Sequence, residues 1–368
     1  MVILKPVRVI KVLLLIASLT SPFALLAEHG HEAESQENHT EEEFNATDVI
    51  MHHISDAHEF HIVGNLAVYL PVILWTDNGL DIFSSEHLYH NPVHIHGHEK
   101  EHAYQYQTDK GSYILFHEKI YYADSHGTLT FKDDSLVNLK PMDFSITKNV
   151  FSMFLSVLFL ILIFIPTAAH YKKNKGAPKG IAAWMEPIII FVRDDIAKPN
   201  IGHKYAKYMP YLLTIFFFIW VNNLIGLVPF FPFSANLSGN IGFTLTMAAI
   251  TLIVILISSN GNYWKHIFAT PGVPVWLLPI MIPVELMGVI AKPFALMIRL
   301  FANITAGHIV VLSLVSLIFI FKNVGMAGVS VPFTLFISVL ELLVAALQAY
   351  IFTMLSALFI GQAIEEHH

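Results

Sequence analysis

The chain has 368 residues, of which 55% are hydrophobic and only 13% charged, and its mean hydropathy is +0.58. This composition is too apolar for an ordinary soluble protein. Several runs reach the roughly 20 apolar residues that one bilayer crossing requires. The chain has no cysteine, which excludes a disulfide framework and a cysteine metal site. We therefore predict an all-α polytopic membrane protein that carries a small external β-containing domain at its N-terminus.

The formal net charge of −7 is unevenly distributed along the chain. Residues 28–148 contain 21 acidic and 6 basic residues, and fifteen of the 21 histidines lie before residue 127. The N-terminal third is thus acidic and rich in histidine, unlike the rest of the chain. We expect a signal peptide over residues 1–27, an acidic His-rich external domain over 28–144 and a membrane domain over 145–368.

The first 27 residues have the pattern of a secretory signal. Lys5, Arg8 and Lys11 form a basic region, a short apolar core follows over 12–19, and small residues over 24–27 offer a cleavage site. An uncleaved anchor is the alternative. Either one places the next segment outside the cytoplasm.

The external domain is predicted to be disordered at first and then to form hairpins. Residues 28–62 are acidic and poor in large apolar side chains. Residues 66–75 and 80–83 flank the turn signal Asp77-Asn78-Gly79, which predicts a first hairpin. A second hairpin is expected between residues 113–122 and 128–131, with its turn at 125–127.

A histidine-rich stretch in this domain is a weak candidate for a metal site. His94, His96 and His98 alternate, and neutral imidazoles bind zinc, copper or nickel. No cysteine or carboxylate arrangement fixes a coordination geometry, however. We interpret the stretch as a solvated polar loop and keep metal binding as the alternative.

Five long apolar segments are predicted to cross the membrane, at about 149–169, 209–231, 241–258, 275–321 and 331–363. The loop over 170–208 holds eight basic and three acidic residues, so the positive-inside rule makes it cytoplasmic. Within this loop, residues 181–196 resemble an interfacial helix, with Trp184, Ile188, Phe191 and Val192 towards lipid. The chain then ends in the cytoplasm.

The last two segments are predicted to form a hairpin of long helices. A helix over 280–321 would be roughly 60 Å long, so it must tilt, curve or break. Pro293 is the expected kink point.

Charged residues recur along the fourth segment with helical spacing. Glu285, Lys292 and Arg299 are seven residues apart and lie on one stripe of a helix. Glu341 and Gln348 form a similar stripe on the last segment. Because charges in lipid are costly, these stripes must face a partner or a water-filled path.

The connector near residue 324 sets which positions of the two helices are level. Folding back there places Arg299 level with Gln348, and His308 level with Glu341. Arg299 cannot deprotonate at working pH and is a fixed charge, whereas His308 and Glu341 can carry protons. Arg299 and His308 are nine residues apart, a half-turn offset on a helix. We therefore expect Arg299 to face an outside partner and His308 to face the bundle.

The sequence around these residues resembles a known family. Lys292-Pro-Phe-Ala-Leu-Met-Ile-Arg299-Leu-Phe-Ala-Asn303-Ile-Thr-Ala-Gly-His308 and Leu347-Gln348-Ala-Tyr-Ile-Phe-Thr-Met look like the a subunit of F-type ATP synthase. Asn223-Leu-Ile-Gly-Leu-Val-Pro229 and Leu278-Pro-Ile-Met-Ile-Pro-Val-Glu285 do so too. The likeness covers about 145–366, and the external domain lies outside it.

The resemblance implies a non-catalytic stator in the bacterial plasma (inner) membrane, supporting ATP synthesis coupled to proton transport. It would embrace a ring of c subunits and contact the b subunits of the peripheral stalk, other ATP synthase subunits and membrane lipid. No nucleic acid and no cofactor are expected.

By motif, the resemblance makes Arg299 the gate between two aqueous half-channels, with Gln348 and Asn303 nearby. His308 and Glu341 fall in the external half-channel, and Glu285 in the inner one. Many bacterial members carry Glu and His in the reverse order at the positions of His308 and Glu341. Because the hairpin places these positions opposite each other, the pair survives the exchange.

Two other functions remain open. A metal-ion transporter with a His-rich external domain would need paired His and acidic ligands on facing spans. A purely structural assembly subunit would tolerate replacement of Arg299.

Overall fold

The structure is a computed structural model that describes residues 47, 50–51, 54–63, 66–93, 103–124, 129–132, 135–173, 178–228, 231–269 and 274–365. The predicted signal peptide and the candidate ligands His94, His96 and His98 lie outside these residues. The chain divides into two units. The first contains residues up to Ser152 with two short segments, Val228–Ala235 and Phe319–Lys322, and the second contains the remainder.

In its described part, the first unit contains short antiparallel strands and the helical turn Glu86–Tyr89 (α1), and Thr47, Ile50, Met51 and Ile54 are also helical. The strands are Glu59–Val63 (β1), Leu66–Tyr69 (β2), Pro71–Thr76 (β3), Gly79–Ser84 (β4), Pro92–Val93 (β5), Ala103–Gln107 (β6), Ser112–Phe116 (β7), Lys119–Tyr122 (β8), Phe131–Lys132 (β9), Ser135–Leu136 (β10) and Met142–Asp143 (β11). Among the described residues they form a sheet β11-β3-β4, a sheet β5-β6-β7-β8 and the pairs β1-β2 and β9-β10. Val72 and Leu74 of the first sheet share a buried core with Tyr113 and Leu115 of the second.

The turn of the first predicted hairpin is confirmed, because β3 pairs with β4 across residues 77–78. Its predicted first strand over 66–75 is wrong in part, since residues 66–69 form a separate strand, β2, that pairs with β1. The second prediction is wrong. Strand β7 pairs with β8 through a turn at His117 and Glu118, and β9 pairs with β10. His117 and Glu118 both adopt positive φ, of 47° and 59°. Glycine or asparagine usually occupies such positions, so the sequence carried no turn signal there.

Helices make up most of the second unit. They are Lys148–Lys173 (α2, which begins in the first unit), Ile181–Phe191 (α3), Lys198–Ile201 (α4), Tyr205–Leu227 (α5), Ile241–Ser258 (α6), Gly261–Phe268 (α7), Leu278–Ile320 (α8) and Ala327–Ile364 (α9). In the part of the chain that the structure describes, five segments are long and apolar enough to cross a membrane: Lys148–Lys172, Ile181–Leu227, Ile241–Ser258, Val275–Ile320 and Ala327–Ile364. The predicted all-α polytopic fold with five passes is thereby confirmed.

The segment before α5 differs in one respect from the predicted interfacial helix. Helix α3 continues into a π-helical turn, Val192–Ala197, in which Val192 is fully buried beside Ile196 and not directed towards lipid. These side chains join a core with Leu212 of α5 and Ile360 of α9. An apolar stripe along a short helix looks the same in the sequence whether that side faces lipid or packs on other helices.

Each of the last two helices, α8 and α9, runs without a break. Helix α8 has 43 residues and runs through Pro283 and Pro293 without a break, so its length is about 65 Å at 1.5 Å per residue. Pro293 removes one backbone hydrogen bond but does not end the helix. Helix α9 packs against α5, where the Asn223 side-chain amide donates to the Ala345 carbonyl at 3.1 Å.

Candidate functional site

His308 of α8 and Glu341 of α9 face each other. Nδ1 of His308 lies 3.6 Å from Oε1 of Glu341, and the two side chains are only 15% and 13% exposed. The folded hairpin therefore brings together the two titratable residues that the sequence placed level with each other. Their separation allows an ion pair when the imidazole is protonated, and a transfer of protons through one small movement or one water molecule.

A glycine makes room for this pair. A Cβ added at Gly307 would collide with the carboxylate oxygen Oε1 of Glu341 and would lie 3.2 Å from its Cδ and Cγ. The Glu341 side chain thus lies directly against the backbone of α8. Sequence reasoning did not single out Gly307, because only the packing of the two helices reveals what a side chain there would meet.

Gln348 of α9 is bonded to Asn303 of α8. The Asn303 side-chain amide donates to Oε1 of Gln348 at 3.1 Å, and Gln348 is only 1% exposed. The sequence register placed Arg299 level with Gln348, but within the described chain the hydrogen-bond partner is Asn303, one helical turn further on. Nε2 of Gln348 is buried and finds no acceptor among the described residues.

Arg299 is half-buried on α8 and has no hydrogen bond or ion pair with any described residue. The guanidinium of Arg193, by contrast, donates twice to the carboxylate of Asp194 at 2.9 Å. A permanent cation in an apolar helix is costly unless something pairs with it. Arg299 is therefore available to a negative group from outside the described chain.

Glu285 and Lys292 line one cavity of about 250 Å³ near the first half of α8. Nζ of Lys292 donates to Oε1 of Gln362 at 2.9 Å. Two of the three members of the predicted stripe thus share a polar cavity, as their common helical face implies. Arg299, the third member, is not among the residues that line it.

The other walls of this cavity include residues that sequence reasoning missed. Tyr263 and His266 belong to α7, a helix between the third and fourth predicted spans. Burial and then the negative charge of Glu285 raise the pKa of the Tyr263 phenol. The sequence feature that could have predicted α7 is Asn260 at its N-cap, because asparagine is common at helix starts. Its backbone N–H and side-chain amide also donate to the last carbonyls of α9, at 2.9 and 2.8 Å.

In the described part of the chain, no three His, Cys, Asp or Glu side chains converge as metal ligands. Within the described residues, the polar groups of α8 and α9 thus form a facing pair, an amide pair, a cation without a partner and part of the lining of a cavity.

Comparison with known proteins decides the family. A family model described as ATP synthase A chain matches residues 150–361. The chain belongs to this family. The resemblance seen in the Arg299 segment is confirmed, and the family is that of a membrane subunit rather than of a catalytic enzyme. The matched range contains Arg299, His308, Glu341 and Gln348.

Three relatives match over 234, 285 and 311 residues. The chain is 51% identical over 234 residues to ATP synthase subunit a of Chloroherpeton thalassium, which covers 61% of this chain and 69% of the relative. It is 45% identical over 285 residues to ATP synthase subunit a 2 of Chlorobium luteolum, and the match covers 74% of this chain and 80% of the relative. It is 42% identical over 311 residues to ATP synthase subunit a 2 of Prosthecochloris aestuarii, and the match covers 81% of this chain and 91% of the relative.

A second family model matches residues 49–144 and is described only as a domain of unknown function (DUF8433). The strands of the first unit fall within this range.

Proposed function

We propose that this chain is the proton-translocating stator subunit of an F-type ATP synthase and that Arg299 separates two half-channels within it. The observation that carries the proposal is that the guanidinium of Arg299 has no partner among the described residues, on the helix that also carries His308 of the His308–Glu341 pair. Membership of the ATP synthase A chain family supports the stator role. The partner we propose for Arg299 is a carboxylate of the c-subunit ring.

A fixed cation suits this position for an electrostatic reason. A nearby guanidinium stabilises the ionised form of a carboxylate and lowers its pKa by about 1–3 units. A protonated rotor carboxylate that reaches Arg299 therefore releases its proton. The same charge repels a proton that would pass directly from one half-channel to the other.

His308 and Glu341 form the proposed external half-channel. Both can exchange protons, they lie 3.6 Å apart, and they are enclosed by α8 and α9. Gly307 keeps the Glu341 carboxylate against the helix that carries His308. Asn303 and Gln348 link the same two helices on the path towards Arg299.

The cavity lined by Glu285 and Lys292 is the proposed inner half-channel. Its volume of about 250 Å³ holds several water molecules, given about 30 Å³ for each. Glu285, His266 and Glu365 in its lining supply groups that can accept or pass protons.

The placement in the cell follows from the same reasoning. We propose a multi-pass subunit of the bacterial plasma membrane with residues 28–144 outside the cytoplasm, residues 145–368 forming the membrane domain and the C-terminus inside. The eight basic residues over 170–208 support this orientation. The signal peptide over 1–27, the contact with the c-ring and the contact with the b subunits belong to the same proposal.

The decisive experiment replaces Arg299 and measures ATP-driven proton pumping in inverted membrane vesicles. We expect Arg299→Ala and Arg299→Lys to abolish pumping, because lysine lacks the planar, permanently charged fork of arginine. Arg193→Ala is the matched control, since Arg193 is already paired with Asp194. It should keep pumping. Arg299→Ala should also raise the passive proton leak while the complex still assembles.

The outcome separates the rival functions. Wild-type pumping in Arg299→Ala would leave a structural assembly subunit as the better account. A metal-ion transporter would bind zinc with micromolar affinity in titrations of the full chain and would lose this binding when His94, His96 and His98 are replaced by alanine.

A further inference from the structure

One face of the sheet β11-β3-β4 is apolar, and no described residue covers it. Directly paired residues share a face, and the pairs Trp75–Leu80, Ile73–Ile82 and Met142–Trp75 define it. We call this the apolar sheet face. Its members are Pro71, Ile73, Trp75, Leu80, Ile82, Ser84, Met142 and Phe144.

The exposure of this face is unusual for a sheet. Trp75, Ile82, Met142 and Phe144 are between 57% and 65% exposed, whereas Val72 and Leu74 on the opposite side are fully buried. A sheet with one buried side normally presents polar residues on the other. None of the eight members of the apolar sheet face is charged. Large exposed patches of this kind mark a surface that contacts a partner or a membrane.

The sheet runs directly into the first predicted span. The backbone N–H of Phe144 donates to Ile73 at 2.9 Å, and that of Ile146 donates to Pro71 at 3.1 Å. Helix α2 begins two residues later, at Lys148. The pairing of the strand therefore continues almost to the start of the helix, without a flexible linker between them.

The partly buried carboxylate of Asp56 fixes this junction further. Oδ1 of Asp56 accepts the backbone N–H of Asn149 at 3.1 Å, and Oδ2 accepts the hydroxyl of Thr147 at 3.0 Å. The backbone N–H of Lys148 donates to the carbonyl of Ala57 at 3.0 Å. The first turn of α2 is thus held by residues that precede β1, so the β-structure and the start of the span move as one.

The apolar sheet face lies close along the chain to the apolar part of α2. Helix α2 has 26 residues and is about 39 Å long, which exceeds the roughly 30 Å hydrocarbon core. With its apolar run over 150–165 in that core, the first turn, which carries Lys148 and Asn149, falls in the headgroup layer. Phe144 is four residues from Lys148, which corresponds to at most about 14 Å of chain.

We propose that the apolar sheet face lies against the lipid surface, with its side chains at the boundary between headgroups and acyl chains. Its chemistry suits this site, since tryptophan and other amphipathic or aromatic side chains favour the membrane interface. Apolar side chains that are exposed on α2 follow soon after along the chain, at Phe154 and Leu158. Because residues 28–148 are acidic overall, the attraction is hydrophobic and not a matter of anionic lipids.

The test uses the full chain reconstituted in phosphatidylcholine vesicles. The chain has no cysteine, so a polarity-sensitive fluorophore on Ile82→Cys reports on one position. Quenching is measured with a lipid that carries a doxyl group high in its acyl chain and, separately, with aqueous iodide. Gln107→Cys is the control, because Gln107 is exposed and polar in the other large sheet. Met142→Cys is a second probe in case Ile82→Cys does not fold.

We expect the label at position 82 to be quenched severalfold more by the doxyl lipid than the label at 107, and severalfold less by iodide. Added salt should leave both values unchanged. Ready access of iodide to position 82 without lipid quenching would overturn the proposal, since the face would then be open to water. Protection from both quenchers would also overturn it, in favour of a protein cover such as a second copy or residues 1–46. None of these outcomes depends on proton translocation.

Discussion

Oε1 of Gln348 accepts its hydrogen bond from Asn303, 3.1 Å away, and not from Arg299. The amide pair joins α8 to α9 at the level where the two helices carry their functional groups. It leaves the guanidinium of Arg299 unpaired within the described chain. The bond from Asn303 thus occupies the Gln348 oxygen that the sequence register had placed level with Arg299.

Asn303→Ala should destabilise the helix pair, because it leaves the buried oxygen of Gln348 without a donor. Stranding a buried polar group costs about 1–3 kcal/mol. The measurement is the thermal unfolding of the assembled complex in detergent. The double variant Asn303→Ala with Gln348→Met removes both polar partners, and we expect it to be more stable than Asn303→Ala alone. Equal stability of the two variants would contradict a mutual bond.

Gly307→Ala should reduce proton pumping more than it reduces assembly. The new Cβ displaces the Glu341 carboxylate, whose flexible end can move away without unfolding the helices. Pumping in membrane vesicles and the amount of assembled complex are measured together. Gly328→Ala is the matched control, since a Cβ at Gly328 in the first turn of α9 meets nothing within 4 Å.

A compensating variant sharpens this prediction. Glu341→Asp shortens the side chain by one methylene and should restore part of the pumping when it is combined with Gly307→Ala. If the double variant pumps no better than Gly307→Ala, the loss arises from something other than the position of this carboxylate.

The pair His308 and Glu341 should tolerate exchange. His308→Glu combined with Glu341→His keeps one imidazole and one carboxylate facing each other, whereas each single change places two like groups together. We expect the double variant to pump protons faster than either single variant. The measurement is the initial rate of acidification in inverted vesicles. A double variant slower than both single variants would argue against mutual pairing.

Glu59 should make the first unit less stable as the pH rises through the mildly acidic range. Burial and then the negative charge of Glu118 raise the pKa of Glu59 above its usual value of 4.5, against the attraction of Lys148. The folded state therefore binds the proton more tightly than the unfolded chain does. Stability is highest below the unfolded pKa and is lost as the pH rises through the folded pKa.

Amide hydrogen exchange in strands β1 and β2 measures this effect. Glu59→Gln should slow the exchange at neutral pH and flatten its pH dependence, because the neutral amide has no proton to lose. Glu86→Gln, at an exposed position, is the control and should leave the profile unchanged. An unchanged profile in Glu59→Gln would refute the assignment.

Parts of the fold could be predicted because they depend on local chemistry. Runs of apolar residues marked the five candidate spans, and Asp77-Asn78-Gly79 marked the turn between β3 and β4. The turn at His117 and Glu118 could not be predicted. Its residues adopt positive φ only because the flanking strands pair in the folded sheet.

For the site, the sequence by itself determined which residues share a helical stripe and which lie level across the hairpin. Both follow from the 3.6-residue period of a helix and from a short connector. The sequence could therefore predict that His308 and Glu341 face each other. Only the tertiary structure decided that Gln348 bonds to Asn303, that Gly307 makes room for Glu341 and that Val192 is buried. These contacts depend on the separation and rotation of packed helices, which are set by many distant side chains together.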